Sequence, residues 1–188
     1  MSQKLAQYLC ILGLTTYACS DSDPESMLSD AGMNDDAGMN DAGSAPDASI
    51  PDDSVVPPTN SADLFAWLQS GAYQAFPAEA AVHASVGPHG SVRTFVNRQL
   101  ANSLGSDATE HPIGAAAVKE LHDTSGLTGW AVVVKTTDSG NASNHWYWYE
   151  NLSTAQNSPV ADGQGVALCV NCHQAGTDQI LSQGPFSN

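Results

Sequence analysis

Cys169-Val170-Asn171-Cys172-His173 sets two thiols and an imidazole at a short, fixed spacing. Two cysteines three residues apart on a helical turn reach the two vinyl groups of a porphyrin. The histidine that follows then directs its imidazole at the iron, which makes this the C-x-x-C-H pattern of covalent c-type haem attachment. On this reading Cys169, Cys172 and His173 bind the cofactor and His173 is the iron ligand. Three other readings use the same residues. A zinc site needs two more ligands, usually a second C-x-x-C or paired histidines. A thioredoxin-like redox pair sits early in a βαβ unit, not beside a histidine near the C-terminus. A plain disulfide is the third.

The other axial ligand is not fixed by the sequence, but one residue type is excluded. Met1, Met27, Met33 and Met39 all lie in the first quarter of the chain, so a His/Met electron-transfer centre is not expected. Bis-histidine ligation, which would make the protein a membrane-tethered electron carrier, would draw on His83, His89, His111, His122 or His145. An open position would let the iron take a small molecule, which points to gas binding or catalysis.

The elements that must carry these residues begin at Ser61. Ser61 to Gly71 reads as a helix capped by Ser61, with Leu64, Trp67 and Leu68 on one face and Gly71 as its end. Ser91 to Asn97 alternates as a strand, with Val92, Thr94 and Val96 opposite Arg93 and Phe95. Arg98 to Leu104 reads as a short helix. Ala115 to Leu121, Trp130 to Thr136 and His145 to Glu150 read as further strands, the first with Ala115, Ala117, Lys119 and Leu121 on one face. The polar loops between them are short, which suggests an antiparallel meander. Asp162 is placed as the cap of a last helix running through Val166 and Leu168 into the cysteine motif. The fold class expected is α+β: a mainly antiparallel sheet of four or five strands, flanking helices, and a C-terminal haem-binding helix.

The N-terminal third is different in kind. Residues 1–18 read as an export signal: Lys4 supplies charge, Leu5 to Leu14 are mostly apolar, and Ala18 precedes Cys19. The stretch is too short to span a bilayer and resembles a bacterial lipobox, with Cys19 as the lipid anchor. Ser20 suggests the outer membrane, with the domain facing the periplasm. Residues 19–60 form an acidic tether. They hold ten of the twenty acidic residues, no Lys or Arg, and a repeat of Asp-Ala-Gly-Met-Asn-Asp. With no aromatics they bury too little apolar area to offset ordering entropy, and as a coil they reach roughly 35 Å. No calcium-loop ligand pattern with a bidentate Glu is present there. A formal net charge of -15 excludes nucleic acid as a natural partner. Residues 61–188 are the haem domain.

From Gly87 to Phe186 the order of landmarks resembles the cytochrome P-460 family, which includes the cytochromes c′-beta. The landmarks are Val92 to Asn97, Pro112 to Leu121 (Pro-Ile-Gly-Ala-Ala-Ala-Val-Lys-Glu-Leu), Gly129 to Lys135, Trp146 to Trp148, and the C-x-x-C-H motif. The resemblance implies a mainly antiparallel β fold, a homodimer, and five-coordinate haem against the sheet. It implies chemistry on small nitrogen compounds: hydroxylamine oxidation in the cytochromes P-460, binding of nitric oxide and other diatomic ligands in the c′-beta relatives. The electron partner is not implied. The resemblance also implies a bond between Lys119 and the porphyrin ring, and a distal role for Arg93 in steadying a bound nitrogen oxide. His89 is added on its place in the turn before the Arg93 strand. Arg93, Lys119 and His89 are therefore the candidate catalytic residues. Two departures stand out. The segment between Leu121 and Trp130 is short, and the family's distal carboxylate has no assigned position, Glu120 and Glu150 being candidates.

Overall fold

Period-two alternation of apolar side chains builds this molecule around one sheet. A computed structural model of the chain describes residues 52–187; Cys19, the signal, most of the tether and all four methionines lie outside the described residues. The chain runs α1 (Ser61–Gln69), a 3₁₀ turn (Ala72–Ala75), β1 (His83–Ala84), β2 (Ser91–Val96), α2 (Arg98–Leu104) and β3 (Ala116–Asp123). It continues with β4 (Gly126–Lys135), a second 3₁₀ turn (Ala142–Asn144), β5 (Trp146–Asn151), β6 (Ala161–Gln164) and α3 (Ala167–His173). The six strands form one antiparallel meander in sequence order. The α+β class, with its antiparallel sheet and flanking helices, is therefore the observed one.

Register sorts side chains to two faces. Phe95, Val118, Val132 and Tyr149 make one cross-strand row; Val96, Ala117, Val133 and Trp148 make the neighbouring row on the opposite face. Leu64, Phe65 and Leu68 of α1 cover the first face together with Tyr73 and Phe76. On the second face pack Leu100 of α2, Ile180, and the α3 segment through Val166, Cys169 and Val170. Each fully buried Leu or Val contributes about 1.5–3 kcal/mol of transfer free energy, so both faces add to the core. Among the described residues no helix is long and apolar enough to cross a membrane.

Several expectations are corrected. The cap of α1 is Asn60, not Ser61: Asn60 is extended (φ -131°) and its side chain accepts from the Asp63 N–H at 3.0 Å. Ser61 begins the helix and accepts from Asn157 Nδ2 instead. Asp162 caps no helix. It lies in β6, where the Tyr147 hydroxyl donates to it at 2.5 Å, and α3 starts after Val166 with no side-chain cap. The strands β1 and β6 raise the count to six. Strands β3 and β4 extend toward each other and meet at a tight Thr124-Ser125 turn, where the Asp123 carboxylate accepts from the Ser125 N–H and hydroxyl. The fold also starts before Ser61. Val55 packs on the first-face core, Asp53 is 7% exposed and ion-paired with Arg98, and Asn97 donates to the Val55 carbonyl.

Gly129 marks a close backbone crossing. A Cβ there would fall on the Asn151 carbonyl and 2.9 Å from Leu152 Cα. Asn151 is fully buried and closes the following loop, donating to the Ser153 and Gln156 carbonyls, so the backbone has little room to yield. Gly129→Ala is expected to destabilise the domain by about 1–3 kcal/mol, the usual range for overpacking. Urea unfolding checks this; an unchanged midpoint would mean that the crossing is loose.

Candidate haem site

The seven-residue helix α3 buries none of its residues completely. Its inward stripe is Val166, Cys169 and Val170, laid against the second sheet face. His173 stands one turn beyond Cys169 on the same stripe. Its ring centre is 4.8 Å from that of Trp148, with planes at 72°. Both cysteines are free thiols, Cys169 half-buried and Cys172 exposed.

The orientation of His173 is fixed by the chain that follows it. Nδ1 lies 2.9 Å from the Gln179 carbonyl. A carbonyl can only accept, so the proton sits on Nδ1 and Nε2 keeps its lone pair. A backbone carbonyl on the second nitrogen is the common way a ligating histidine is oriented. Burial pushes the imidazole below its ordinary pKa range, and Lys119 and His89 add to this against the Gln179 carbonyl and Glu150. The ring is therefore held in its neutral, ligating form.

The Gln179 carbonyl is itself held by a buried clamp. Asp178 and Gln179 have φ of 44° and 72°, a conformation that non-glycine residues adopt only when the surroundings enforce it. Here the Asp178 carboxylate accepts from Lys135 Nζ at 2.5 Å, from the His111 N–H at 2.9 Å and from Trp146 Nε1 at 3.3 Å.

Beside His173 the sheet presents one cross-strand row: Lys119, Ala131 and Glu150. Ala115, Ala117 and Ala131 leave the surface low on either side of Lys119. Burial lowers the Lys119 pKa, while Glu79 and Glu150 oppose the shift. His89 arrives from the loop between β1 and β2. Its Nδ1 is 3.2 Å from Glu150 Oε1, and its ring centre is 6.5 Å from that of His173. Of the residues singled out in the sequence, the structure thus brings together Cys169, Cys172, His173, Lys119, His89 and Glu150.

It does not bring Arg93. Arg93 shares a register row with Glu120 and Trp130 and projects onto the α1 face. There its guanidinium lies 4.9 Å from the Phe95 ring centre and its Nε donates to the Glu79 carbonyl. Strand parity explains the separation, because Arg93 and Lys119 are one residue out of step across β2 and β3. Glu120 is on that same face, accepting from the Tyr73 hydroxyl at 2.6 Å and bonded to His122. Burial, with the hydrogen bond to Glu120 adding to it, pushes the Tyr73 phenol up to about 12. Glu150, not Glu120, is the carboxylate beside His173.

The donor set fits a covalently held haem. Burial pushes the Cys169 thiol up to about 11, with Glu150 and Cys172 adding to it; a reactive redox pair needs the opposite shift. A porphyrin iron needs one protein imidazole, and His173 offers one. Trp148 Nε1 is buried and finds no hydrogen-bond partner among the described residues, so a donor stands free beside His173. A separate cavity of about 650 Å³, bounded by Gln99, His111, Pro112 and Lys135, touches none of these groups. The supporting residues Trp148, Asp178 and Gln179 were not legible as site residues: Trp148 was one of several adjacent aromatics, and the other two act through backbone geometry. No family model matches this chain, and no characterised protein sequence aligns with it closely enough to indicate a relationship.

Proposed function

We propose that this domain carries a covalent haem c on Cys169 and Cys172, with His173 as iron ligand, and that it binds or converts small nitrogen compounds such as hydroxylamine or nitric oxide. The observation that carries the reading is the His173 imidazole, with Nδ1 bonded to the Gln179 carbonyl and Nε2 left for a metal. Bound haem would supply an iron centre for small ligands and one-electron chemistry. The protein would supply the rest. Cys169 and Cys172 would hold the ring, and Trp148 offers an N–H. Lys119 would offer an amine to the ring and Glu150 a carboxylate from the same sheet face.

The presence of Glu150 in the site supports turnover, since hydroxylamine oxidation needs a proton acceptor. The placement of Arg93 on the other face supports the second reading, a gas-binding protein without turnover. Burial of Lys119 favours its neutral, nucleophilic amine, which is the form a bond to the porphyrin requires. The lipid anchor at Cys19 and the acidic tether complete the proposal: an envelope protein holding its domain off the outer membrane, facing the periplasm, as a homodimer.

The full chain, exported in a host that assembles c-type haem, tests this. Covalent haem c in the pyridine haemochrome spectrum, and a spectral shift on nitric oxide addition, are expected. A strongly red-shifted ferrous Soret band that Lys119→Arg abolishes would identify the lysine bond. A protein that exports and folds without covalent haem overturns the proposal.

A further inference from the structure

We infer that His89 is the second axial ligand of the haem iron in the resting protein, held for that role by Glu150. The inference rests on the haem reading above and departs from the five-coordinate iron that the resemblance implies. Three observations carry it. The first is separation. Metal–imidazole bonds of about 2 Å put the centres of two trans imidazoles roughly 6 Å apart; the His89 and His173 centres are 6.5 Å apart. The second is the matched tautomer. A carboxylate oxygen accepts, so the 3.2 Å contact from Nδ1 to Glu150 Oε1 places the His89 proton on Nδ1 and frees Nε2, as the Gln179 carbonyl does for His173.

The third is the contrast with the other histidines. His83 and His122 give their Nε2 atoms to Glu79 and Glu120, at 2.9 and 3.0 Å. His111 is buried against Ser103 and the Asp178 clamp, and its ring stacks edge-on to Trp146. His145 is buried at the far end of β5. Among the described histidines His89 alone pairs a free Nε2 with closeness to His173.

The consequence is regulatory. His89 sits in a loop between two strands rather than on the sheet, so it can leave while Cys169, Cys172 and His173 stay. A small ligand then takes its place by simple exchange: one iron–nitrogen bond breaks, another forms, and the His89 proton remains on Nδ1 toward Glu150. No electron is transferred. His89 would thus cap the iron and make ligand binding wait for the loop.

The haem-loaded full chain decides the matter by spectroscopy. The ferric protein is expected to be low-spin in its visible and electron paramagnetic resonance spectra, and His89→Ala is expected to lose that signal and become high-spin. Nitric oxide binding should reach a plateau rate with rising concentration in the natural protein and become linear in His89→Ala. A high-spin natural protein overturns the inference on its own, even if the variant fails to load haem. A low-spin signal that survives in His89→Ala overturns it too. In both cases covalent haem is present and the haem reading stands; loss of haem from the natural protein defeats both.

Discussion

Asp178→Asn is expected to lower the unfolding free energy by about 3–5 kcal/mol, the range for removing one partner of a buried ion pair. The side chains of Lys135 and Asp178 are 1% and 6% exposed. With the carboxylate gone, the Lys135 ammonium stays desolvated with no compensating charge, and the His111 N–H and Trp146 Nε1 face a weaker acceptor. Urea unfolding of the full chain reads the loss. Replacing both partners, Lys135→Met with Asp178→Asn, should recover much of it, because no buried charge is then stranded. A single substitution that moves stability by less than about 1 kcal/mol would mean that the pair is solvated and the clamp is not structural.

The same group has a pH signature. Burial alone would raise the Asp178 pKa; the Lys135 ammonium, the His111 N–H and Trp146 outweigh it and hold the carboxyl below its ordinary value. A group depressed in the fold stabilises the protein at pH above its unfolded pKa, about 3.9, and that contribution fades as pH falls through the folded value. Asp178→Asn should therefore lose most stability near neutrality and converge with the natural protein in acid. The effect reaches the candidate site as well. Residues 178 and 179 form a turn that the Ile180 N–H closes on the Thr177 carbonyl; Asp178 anchors that turn to Lys135, and its Gln179 carbonyl accepts from His173. Loosening the clamp should broaden the haem spectrum before the domain unfolds.

What the sequence could and could not say follows from the same physics. Strand parity was readable, because Val92, Thr94 and Val96 against Arg93 and Phe95 is a period-two pattern whatever the partner strands do. Lys119 with Ala115 and Ala117 came out on one face for the same reason. Which two faces would be joined was not readable. That depends on the register between β2 and β3, and this register sends Arg93 toward α1 while Lys119 faces α3. The helix signals were good where propensity and capping agree, as for Arg98 to Leu104. They failed at Asp162, where an acid next to a glycine looked like a cap but found a phenol across the sheet. Tether and domain blurred at Asp53 and Val55, since an acidic, proline-rich composition says nothing about a single valine that finds a core. The motif of the proposed haem site was legible because C-x-x-C-H is a spacing that such an attachment requires. Its supports, a carbonyl at Gln179 and an acid at Asp178, depend on backbone angles that no residue type announces.

Cys169→Ser combined with Cys172→Ser should abolish covalent haem completely, an all-or-none loss and the largest effect expected here. The two thiols are the only ones among the described residues. Denaturing gel electrophoresis with a haem stain separates the outcomes, because it removes any haem held by His173 alone. The natural protein should keep a stained band, each single variant a weaker one through its remaining thioether, and the double variant none. Misfolding is a poor explanation for such a loss. Cys172 is exposed and Cys169 only half-buried, and a helix that buries none of its residues fully contributes little to the core. The haem-free double variant should therefore unfold within about 1 kcal/mol of the haem-free natural chain. If it kept its stained band, the thioether assignment would fail. If it lost both haem and fold, the motif would have to be counted as part of the core, against its exposure. The His173→Ala variant completes the separation: its thioethers should still form and its band still stain, while its native spectrum loses the signature of ligation by His173.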